Sequence, residues 1–305
     1  MTQRLLLFIM AWLCFSLMGC GDESAPDIVW GEQGVIDGRM HRPRALAIDA
    51  KDRLYVVDFT ARVQVYDRNG KHLGHTWSTP DYRNGRPSGL SITPDGNLLL
   101  SDSHYSCLRI YSPKGKLLKT IGGKKGTKPG ELGYVSDAIQ DKDGYYYVAE
   151  FGDNQRITKL KPDGSFLKCW GEPGSEKGQF ARVRAIALGP DGNLYLADSC
   201  NHRIQVYTRD GKHVRTFGEE GREPGKLAYP YDLAFSRGSD PVLYVVEYGN
   251  NRVQKFTPEG KSLGCWGGPG REPGKFFSPW ALAIDSYGRI HVADTENHRV
   301  QRIGF

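Results

Sequence analysis

The last repeat of this chain is incomplete, and the strand that it lacks is found at the other end of the sequence. A unit of roughly 47 residues recurs six times. The sixth copy, Ser278 to Phe305, ends before the Trp-Gly or Phe-Gly strand that closes the other copies. Residues 28–31, Ile-Val-Trp-Gly, supply that strand before the first copy begins. The sequence therefore predicts a chain that closes on itself as a ring.

The spacing of the copies can be measured on the first apolar residue of each. Successive separations are 44, 48, 48, 47 and 49 residues. A period of this length with four short strands per unit is typical of a β-propeller rather than a helical solenoid. The positions measured are Leu46, Leu90, Ala138, Ile186, Leu233 and Leu282. We therefore predict an all-β, six-bladed propeller of four-stranded blades, with residues 28–31 completing the last blade.

Turn residues divide each unit into its strands and predict two different faces of the ring. Asp-Gly turns separate the first strand from the second and the third from the fourth, as at 190–193 and 209–212. The longer Gly/Pro-rich connectors between blades, such as 171–178, return to the opposite face. Variable loops on a rigid scaffold are common sites of binding. We therefore expect function on the face that carries the connectors.

The N-terminus differs from the repeats and predicts export. Arg4 precedes an apolar run of 13 residues, from Leu5 to Leu17, which is too short to span a bilayer as a helix. The segment that follows resembles a bacterial lipobox, so residues 1–19 are predicted to be a lipoprotein signal peptide. Cys20 would then be lipidated, 20–27 would be a short tether, and 28–305 would be the propeller. An ordinary signal peptide cut near Gly19 is the alternative.

The motif in the middle of each unit resembles that of a known family. Residues 197–206 read ADSCNHRIQV and 293–301 read ADTENHRVQ. These segments are similar to the NHL repeats of six-bladed β-propellers, a family named for its Asn-His-Leu-type triplet. Copy one is a residue short at this point, and copy two lacks the Arg at its usual place. With the lipobox, the resemblance implies a bacterial NHL-repeat lipoprotein exported to the cell envelope.

Residues that recur in every blade are expected to serve the fold. An acidic residue opens the motif in all six copies and is predicted to accept turn N–H groups or to pair with the following Arg. His202 and His298 belong to the repeated triplet and are given the same structural role. The acidic residues are Asp58, Asp102, Glu150, Asp198, Glu247 and Asp294.

Ligand-binding residues are expected where the blades differ. The position just before each inner strand's apolar run should point to the channel mouth on the connector face. Two arginines, two hydroxyls and two aromatics suit an anionic or sugar-like ligand or a protein segment. These rim residues are Arg44, Ser88, Ser136, Arg184, Tyr231 and Trp280. A solvated rim without a ligand is the alternative.

The same positions bear on whether the chain is an enzyme. Amidating lyases of similar fold carry metal-binding histidines near the rim position, where this chain has none. Asp137 and Asp232 follow the rim residues, so strict side-chain alternation would turn them away from the rim. No metal or other cofactor is predicted, and Cys107, Cys169, Cys200 and Cys265 are expected to be free thiols.

The favoured function is therefore a non-enzymatic binding platform of the envelope, monomeric and anchored to a bacterial membrane by its lipid. Its partner is expected to be an envelope protein or an anionic or sugar-like ligand. The net charge of +6 and the predicted export argue against nucleic acid. The alternative is a metal-dependent propeller enzyme, a lyase or a lactonase-type hydrolase, acting at the central channel.

Overall fold

Six four-stranded antiparallel sheets form the blades of a propeller, as the repeats predicted. The structure is a computed structural model that describes residues 25–80, 83 and 86–305. The predicted signal peptide and Cys20 lie outside the described residues. The strands of blades 1 to 3, from the axis outward, are Pro43–Ile48, Leu54–Asp58, Arg62–Tyr66 and His72–Ser78; Pro87–Ile92, Leu98–Asp102, Cys107–Tyr111 and Leu117–Gly122; and Tyr134–Gln140, Tyr146–Phe151, Arg156–Leu160 and Phe166–Trp170.

Blades 4 to 6 repeat this arrangement, and short elements decorate the loops. The strands are Val183–Leu188, Leu194–Asp198, Arg203–Tyr207 and His213–Phe217; Pro230–Phe235, Leu243–Glu247, Arg252–Phe256 and Ser262–Gly267; and Ala281–Ile284, Ile290–Asp294, Arg299–Ile303 and Ile28–Trp30. Two-residue strands Glu172–Pro173 and Gln179–Phe180 pair within one connector, and Ser199–Asn201 and Thr295–Asn297 are 3-10 turns. No helix among the described residues is long and apolar enough to cross a membrane.

The ring closes through the N-terminal strand. Ile28–Trp30 pairs antiparallel with Arg299–Ile303, with Val29 opposite Gln301. The backbone N–H of Asp27 adds a hydrogen bond of 2.8 Å to the carbonyl of Arg302. The prediction that residues 28–31 complete the last blade is confirmed, with the strand ending at Trp30. Closure covers the third strand of blade 6, which would otherwise be a free sheet edge.

An apolar residue at the end of one blade packs against a turn glycine of the next. In blade 4 the turn glycine is Gly211, and a Cβ added there would come within 2.7 Å of the Trp170 ring of blade 3. Trp30 lies in the same way against Gly70, joining the closing strand to blade 1. The recurrent turn glycine and the recurrent large apolar residue at the end of the outer strand thus form one contact between neighbouring blades.

The recurrent acidic residue holds the connector of its own blade, as expected. In blade 4, Asp198 accepts hydrogen bonds from the backbone N–H of Ala181 (2.8 Å) and from Arg203 Nε (2.8 Å). Arg203 also donates to the carbonyls of Glu176 and Gln179. The ion pairs in the other blades are Asp58–Arg62, Asp102–Arg109, Glu150–Arg156, Glu247–Arg252 and Asp294–Arg299. In blade 2, Arg109 replaces the missing Arg from a later position on the strand.

The histidine of the triplet links neighbouring blades. His298 Nδ1 accepts a hydrogen bond of 3.1 Å from the backbone N–H of Arg42, which has φ +52°. His202 does the same for Tyr229, at 3.3 Å and φ +51°. Asn251 takes this role toward Ser278. The structural interpretation of these histidines is therefore supported by their contacts.

The expectation that Cys265 is a free thiol is wrong, whereas the same expectation is confirmed for the other three cysteines. Cys107, Cys169 and Cys200 are free. Cys265, which is 4% exposed, is disulfide-bonded. The sequence argument excluded disulfides only between cysteines at equivalent positions of different blades, which lie too far apart. It did not test whether Cys265 could pair with a cysteine at any other position.

Candidate functional site

The predicted rim position coincides with a β-bulge in five of the six inner strands. In blade 1 the pairing skips from Pro43 to Ala45, which leaves Arg44 as the extra residue. The same irregularity occurs in blades 2, 3, 4 and 5. A bulge places an additional residue opposite one residue of the partner strand and re-aims the side chains beside it. The rim residues are thus set apart by backbone geometry.

The bulge also brings the following residue into the channel. Asp137 and Asp232 line the same cavity as Arg44 and Arg184. The expectation that strict alternation would turn both aspartates away from the rim is wrong, because the extra residue breaks the two-residue period of the strand. Gly89, at the equivalent position in blade 2, leaves space for the Asp137 carboxylate, which would clash with a Cβ there.

Five of the six predicted rim residues line one cavity, and the sixth does not. The five are Arg44, Ser88, Arg184, Tyr231 and Trp280. Ser136 is fully buried, and its hydroxyl donates to the carbonyls of Val183 (2.6 Å) and Ala149 (3.1 Å). Ser88 lines the cavity, but its hydroxyl donates to the carbonyl of Ser136 at 2.8 Å. The two serines therefore join blades, while the arginines and aromatics shape the mouth.

Both rim arginines stack on the rim aromatics. The Arg44 guanidinium lies 4.7 Å from the centroid of the Trp280 ring, and that of Arg184 lies 5.2 Å from it. Arg184 also lies 4.7 Å from the centroid of Tyr231, whose ring contacts Trp280 edge to face. Cation–π contacts of this kind orient the planar guanidinium groups without using their N–H donors.

Several of these donors are buried without a hydrogen-bond partner among the described residues. They are Nε and one terminal nitrogen of Arg44, together with Nε of Arg184. Arg184 is only 6% exposed. Burial lowers the pKa of Arg44 to about 9, with a further contribution from the positive charge of Arg184, and burial also lowers the pKa of Arg184. The mouth thus holds one buried and one half-buried cation, each with a buried N–H donor that no described residue accepts.

A second layer of aromatic residues around the mouth was missed by the sequence reasoning, although Arg86 and Arg182 were expected to place positive charge on the connector face. Arg86 lies 3.7 Å from the centroid of Phe59, and Arg182 lies 5.3 Å from that of Phe151. Tyr248 stacks on Tyr231 at 4.6 Å. The three aromatics Phe59, Phe151 and Tyr248 follow the recurrent acidic residue in blades 1, 3 and 5, where the other blades carry Ser or Thr. This alternation between blades is visible in the sequence and could have pointed to these aromatic residues.

The aspartates bridge blades from inside the channel. Asp137 accepts the N–H of Ile186 in blade 4 at 3.1 Å, and Asp232 accepts that of Leu282 in blade 6 at 2.9 Å. Burial raises the pKa of Asp137 to about 8, with a contribution from Asp232, and burial raises the pKa of Asp232 to about 7. The positive charge of Arg184 lowers the pKa of both aspartates but does not return it to the ordinary carboxyl value.

The aspartates also divide the channel into two chambers of different size. The chamber at the connector face encloses about 20 Å³, close to the space that one water molecule requires. The other chamber opens toward the turn face, which is the face opposite the connectors and carries the tight turns between strands. It encloses about 300 Å³. Asp137 and Asp232 line both chambers. Only a small terminal group can enter between the arginines, whereas the wider chamber has room for a small molecule.

Within the described part of the chain, no group of three or more His, Cys, Asp and Glu side chains is arranged to hold a metal ion. His104, which is exposed, lies near the mouth and contacts the ring of Tyr134 edge to face. Burial lowers the pKa of His104, and the positive charges of Arg44 and Arg86 add to this effect.

Comparison with known proteins identifies the repeat. The NHL repeat family model matches residues 180–207 and 276–303. The chain is 28% identical over 196 residues to peptidyl-glycine alpha-amidating monooxygenase of Mus musculus, a match that covers 61% of this chain and 19% of that protein. The chain thus spans about a fifth of the length of this relative.

Solved structures share the architecture at low sequence identity. An auxiliary nutrient binding protein from Bacteroides thetaiotaomicron superposes with a TM-score of 0.66 at 13% identity, over 87% of this chain and 69% of that one. Virginiamycin B lyase from Staphylococcus aureus superposes with a TM-score of 0.58 at 16% identity, over 85% and 79% of the two chains. The protein therefore carries NHL repeats and folds as a six-bladed β-propeller.

Proposed function

We propose that the propeller is a non-enzymatic binding platform of the bacterial cell envelope, and that its connector-face mouth binds an anionic group of its ligand. The carrying observation is the pair of rim arginines, Arg44 and Arg184, whose guanidinium groups have buried N–H donors without a partner among the described residues. A buried donor without a partner costs free energy, and so does a pair of nearby buried cations. An anion between them supplies hydrogen bonds and opposite charge at once.

The size of the mouth limits what can enter it. A chamber of about 20 Å³ admits the end of a ligand rather than its whole body. The rest of the ligand would lie on the surrounding face, where Phe59, Phe151 and Tyr248 offer apolar surface and Arg86 and Arg182 offer further charge. This combination suits the acidic group of a sugar-like ligand or an acidic side chain of an envelope protein.

The test uses simple anions as probes for the folded propeller, residues 21–305. Glucuronate and acetate are titrated by calorimetry, with glucose as the neutral counterpart of glucuronate. We expect the anions to bind and glucose to bind at least ten-fold more weakly. The double variant Arg44→Gln, Arg184→Gln should lose anion binding.

The matched control is Arg222→Gln, which removes one positive charge from an exposed position of a connector. It should bind the anions as the wild type does. Equal anion binding by the wild type and the double variant would show that the mouth is not the site.

The proposal includes membrane anchoring through Cys20. This residue lies outside the described residues, and the support comes from the lipobox-like sequence and the short tether after it. Asp27 is bound to blade 6, so the tether is the six residues from 21 to 26. At about 3.4 Å per residue they reach roughly 20 Å, which would keep the platform near the membrane surface. Metabolic labelling with a fatty acid should mark the wild type, and Cys20→Ser should abolish the label.

A metal-dependent lyase or lactonase-type hydrolase is the second candidate. It is favoured by two buried carboxyl groups with raised pKa beside Arg184 in the channel. Elemental analysis of the propeller purified without chelators distinguishes the two. About one tightly bound zinc or calcium per chain would favour the enzyme, and its absence from a stably folded protein would favour the platform.

A further inference from the structure

The wider chamber of the channel differs in character from the mouth. It encloses about 300 Å³, at the lower end of the range for small-molecule sites. Its walls come from the later residues of the inner strands, which are mostly aliphatic; among them are Ile48, Ile92, Ile139, Leu188, Phe235 and Ile284. A chamber with such walls favours an apolar body of limited size.

The floor of this chamber is polar and acidic. Asp137 and Asp232 form it, and Asp137 is only 8% exposed. Each carboxylate accepts backbone N–H groups, and within the described part of the chain neither is in a salt bridge. The positive charge of Arg184 lowers the pKa of both groups but leaves both values raised, so their burial still carries a desolvation cost that a bound ammonium group would offset.

We propose that the turn-face chamber binds a small apolar amine, with its ammonium group at Asp137 and Asp232 and its hydrocarbon body against the aliphatic walls. An ammonium group donates up to three hydrogen bonds, enough to reach both carboxylates. The site adjoins the proposed anion-binding mouth, with which it shares the two aspartates. The argument for it does not use the arginine donors, so this proposal does not depend on that one. Arg237, which lies on the chamber wall, disfavours a second positive charge on the ligand.

The first experiment compares three hydrocarbon probes of equal chain length on the folded propeller, residues 21–305. Hexylamine, 1-hexanol and hexanoate are titrated by ligand-observed NMR and calorimetry. We expect hexylamine to bind at least ten-fold more tightly than hexanol. Equal binding of amine and alcohol would overturn the proposal, because it would show an apolar chamber without cation recognition.

The second experiment removes the carboxylate charge with little change of shape. Asp137→Asn and Asp232→Asn should each weaken hexylamine binding at least ten-fold. Asp240→Asn, at an exposed position in the loop that follows the inner strand of blade 5, should leave it unchanged. Unchanged affinity in both Asp137→Asn and Asp232→Asn would overturn the proposal.

A readout on the wild-type protein covers the case in which a variant fails to fold. A cation at these carboxyl groups favours their ionised form, so hexylamine binding near pH 7 should release protons. The heat of binding should then differ between phosphate and Tris buffers in proportion to their ionisation enthalpies. The absence of proton release, or displacement of the amine by stoichiometric calcium, would overturn the proposal.

Discussion

The guanidinium group of Arg44 lies 4.7 Å from the centre of the Trp280 indole ring, so a residue of blade 1 stacks on a residue of blade 6 at the channel mouth. Arg184 of blade 4 approaches the same ring at 5.2 Å. Two like charges are thus held beside one aromatic ring. Holding two like charges this close together costs free energy in the unliganded fold.

Removing one of these charges should therefore not lower the free energy of unfolding of the unliganded protein. In Arg44→Gln, the loss of the cation–π contacts with Trp280 and Phe59 is opposed by the loss of a half-buried charge whose pKa is lowered to about 9. We expect the free energy of unfolding in urea to stay within about 1 kcal/mol of the wild type or to rise. Arg62→Gln is the contrast, because Arg62 pairs with buried Asp58. It should cost about 3–5 kcal/mol, and an equal loss in both variants would contradict the prediction.

The contact between blades at the turn glycines gives a matched pair of substitutions in blade 4. Gly211 has φ +82° and lies against Trp170, whereas Gly192 has φ +75° and open space around it. Both alanine variants bear the backbone penalty of about 1–2 kcal/mol for a left-handed residue. Only Gly211→Ala also displaces a neighbouring ring. Urea unfolding should show it to be less stable than Gly192→Ala by at least about 1 kcal/mol.

The link from His298 to Arg42 predicts a rescue by asparagine. His298→Ala removes the acceptor for the Arg42 N–H and should lower stability by about 1 kcal/mol. Asn251 makes the equivalent bond to Ser278 in the neighbouring blade. His298→Asn should therefore recover most of the loss, as judged by thermal unfolding. Equal destabilisation by Ala and Asn would show that ring packing against His41 matters more than the hydrogen bond.

Asp137 should make stability depend on pH in a defined direction. Its pKa is about 8 in the folded protein, above the ordinary carboxyl value, so between these two values the folded state binds more protons than the unfolded state. Stability contributed by this group is then lost as pH rises from about 4 to 8. Relative to the wild type, Asp137→Asn should gain stability between pH 5 and pH 8. Parallel pH profiles of the two proteins would refute the assignment.

Ring closure should carry a large share of the stability. Without residues 28–30, the outer edge of blade 6 loses its ladder and Tyr66 loses the Trp30 ring, whose centroid lies 4.6 Å from its own. A chain that begins at residue 31 should melt about 10 °C or more below one that begins at residue 25, since several kcal/mol of hydrogen bonding and burial are lost. An unchanged melting temperature would contradict the role of this strand.

The architecture could be predicted from the sequence because its signals are local and repeated six times. Strand period, Asp-Gly turns and the displaced Trp30 strand each depend on residues close in sequence or on the repeat itself. The recurring Asp198–Arg203 type of pair could be assigned to the fold for the same reason. Five of the six predicted rim residues also came together at one cavity.

The chemistry of the channel was decided only by the tertiary structure. Sequence alternation alone would turn Asp137 away from the side of Arg184, yet bulges in five of the six inner strands bring rim residues and aspartates to one channel. The same contacts bury Ser136 between blades and leave donors of Arg44 without partners. These outcomes depend on how six inner strands crowd around one axis, so residues more than 40 positions apart determine the surroundings of each side chain. A one-dimensional pattern carries no measure of that crowding, and this is why the repeat predicts the ring but not the chemistry of its channel.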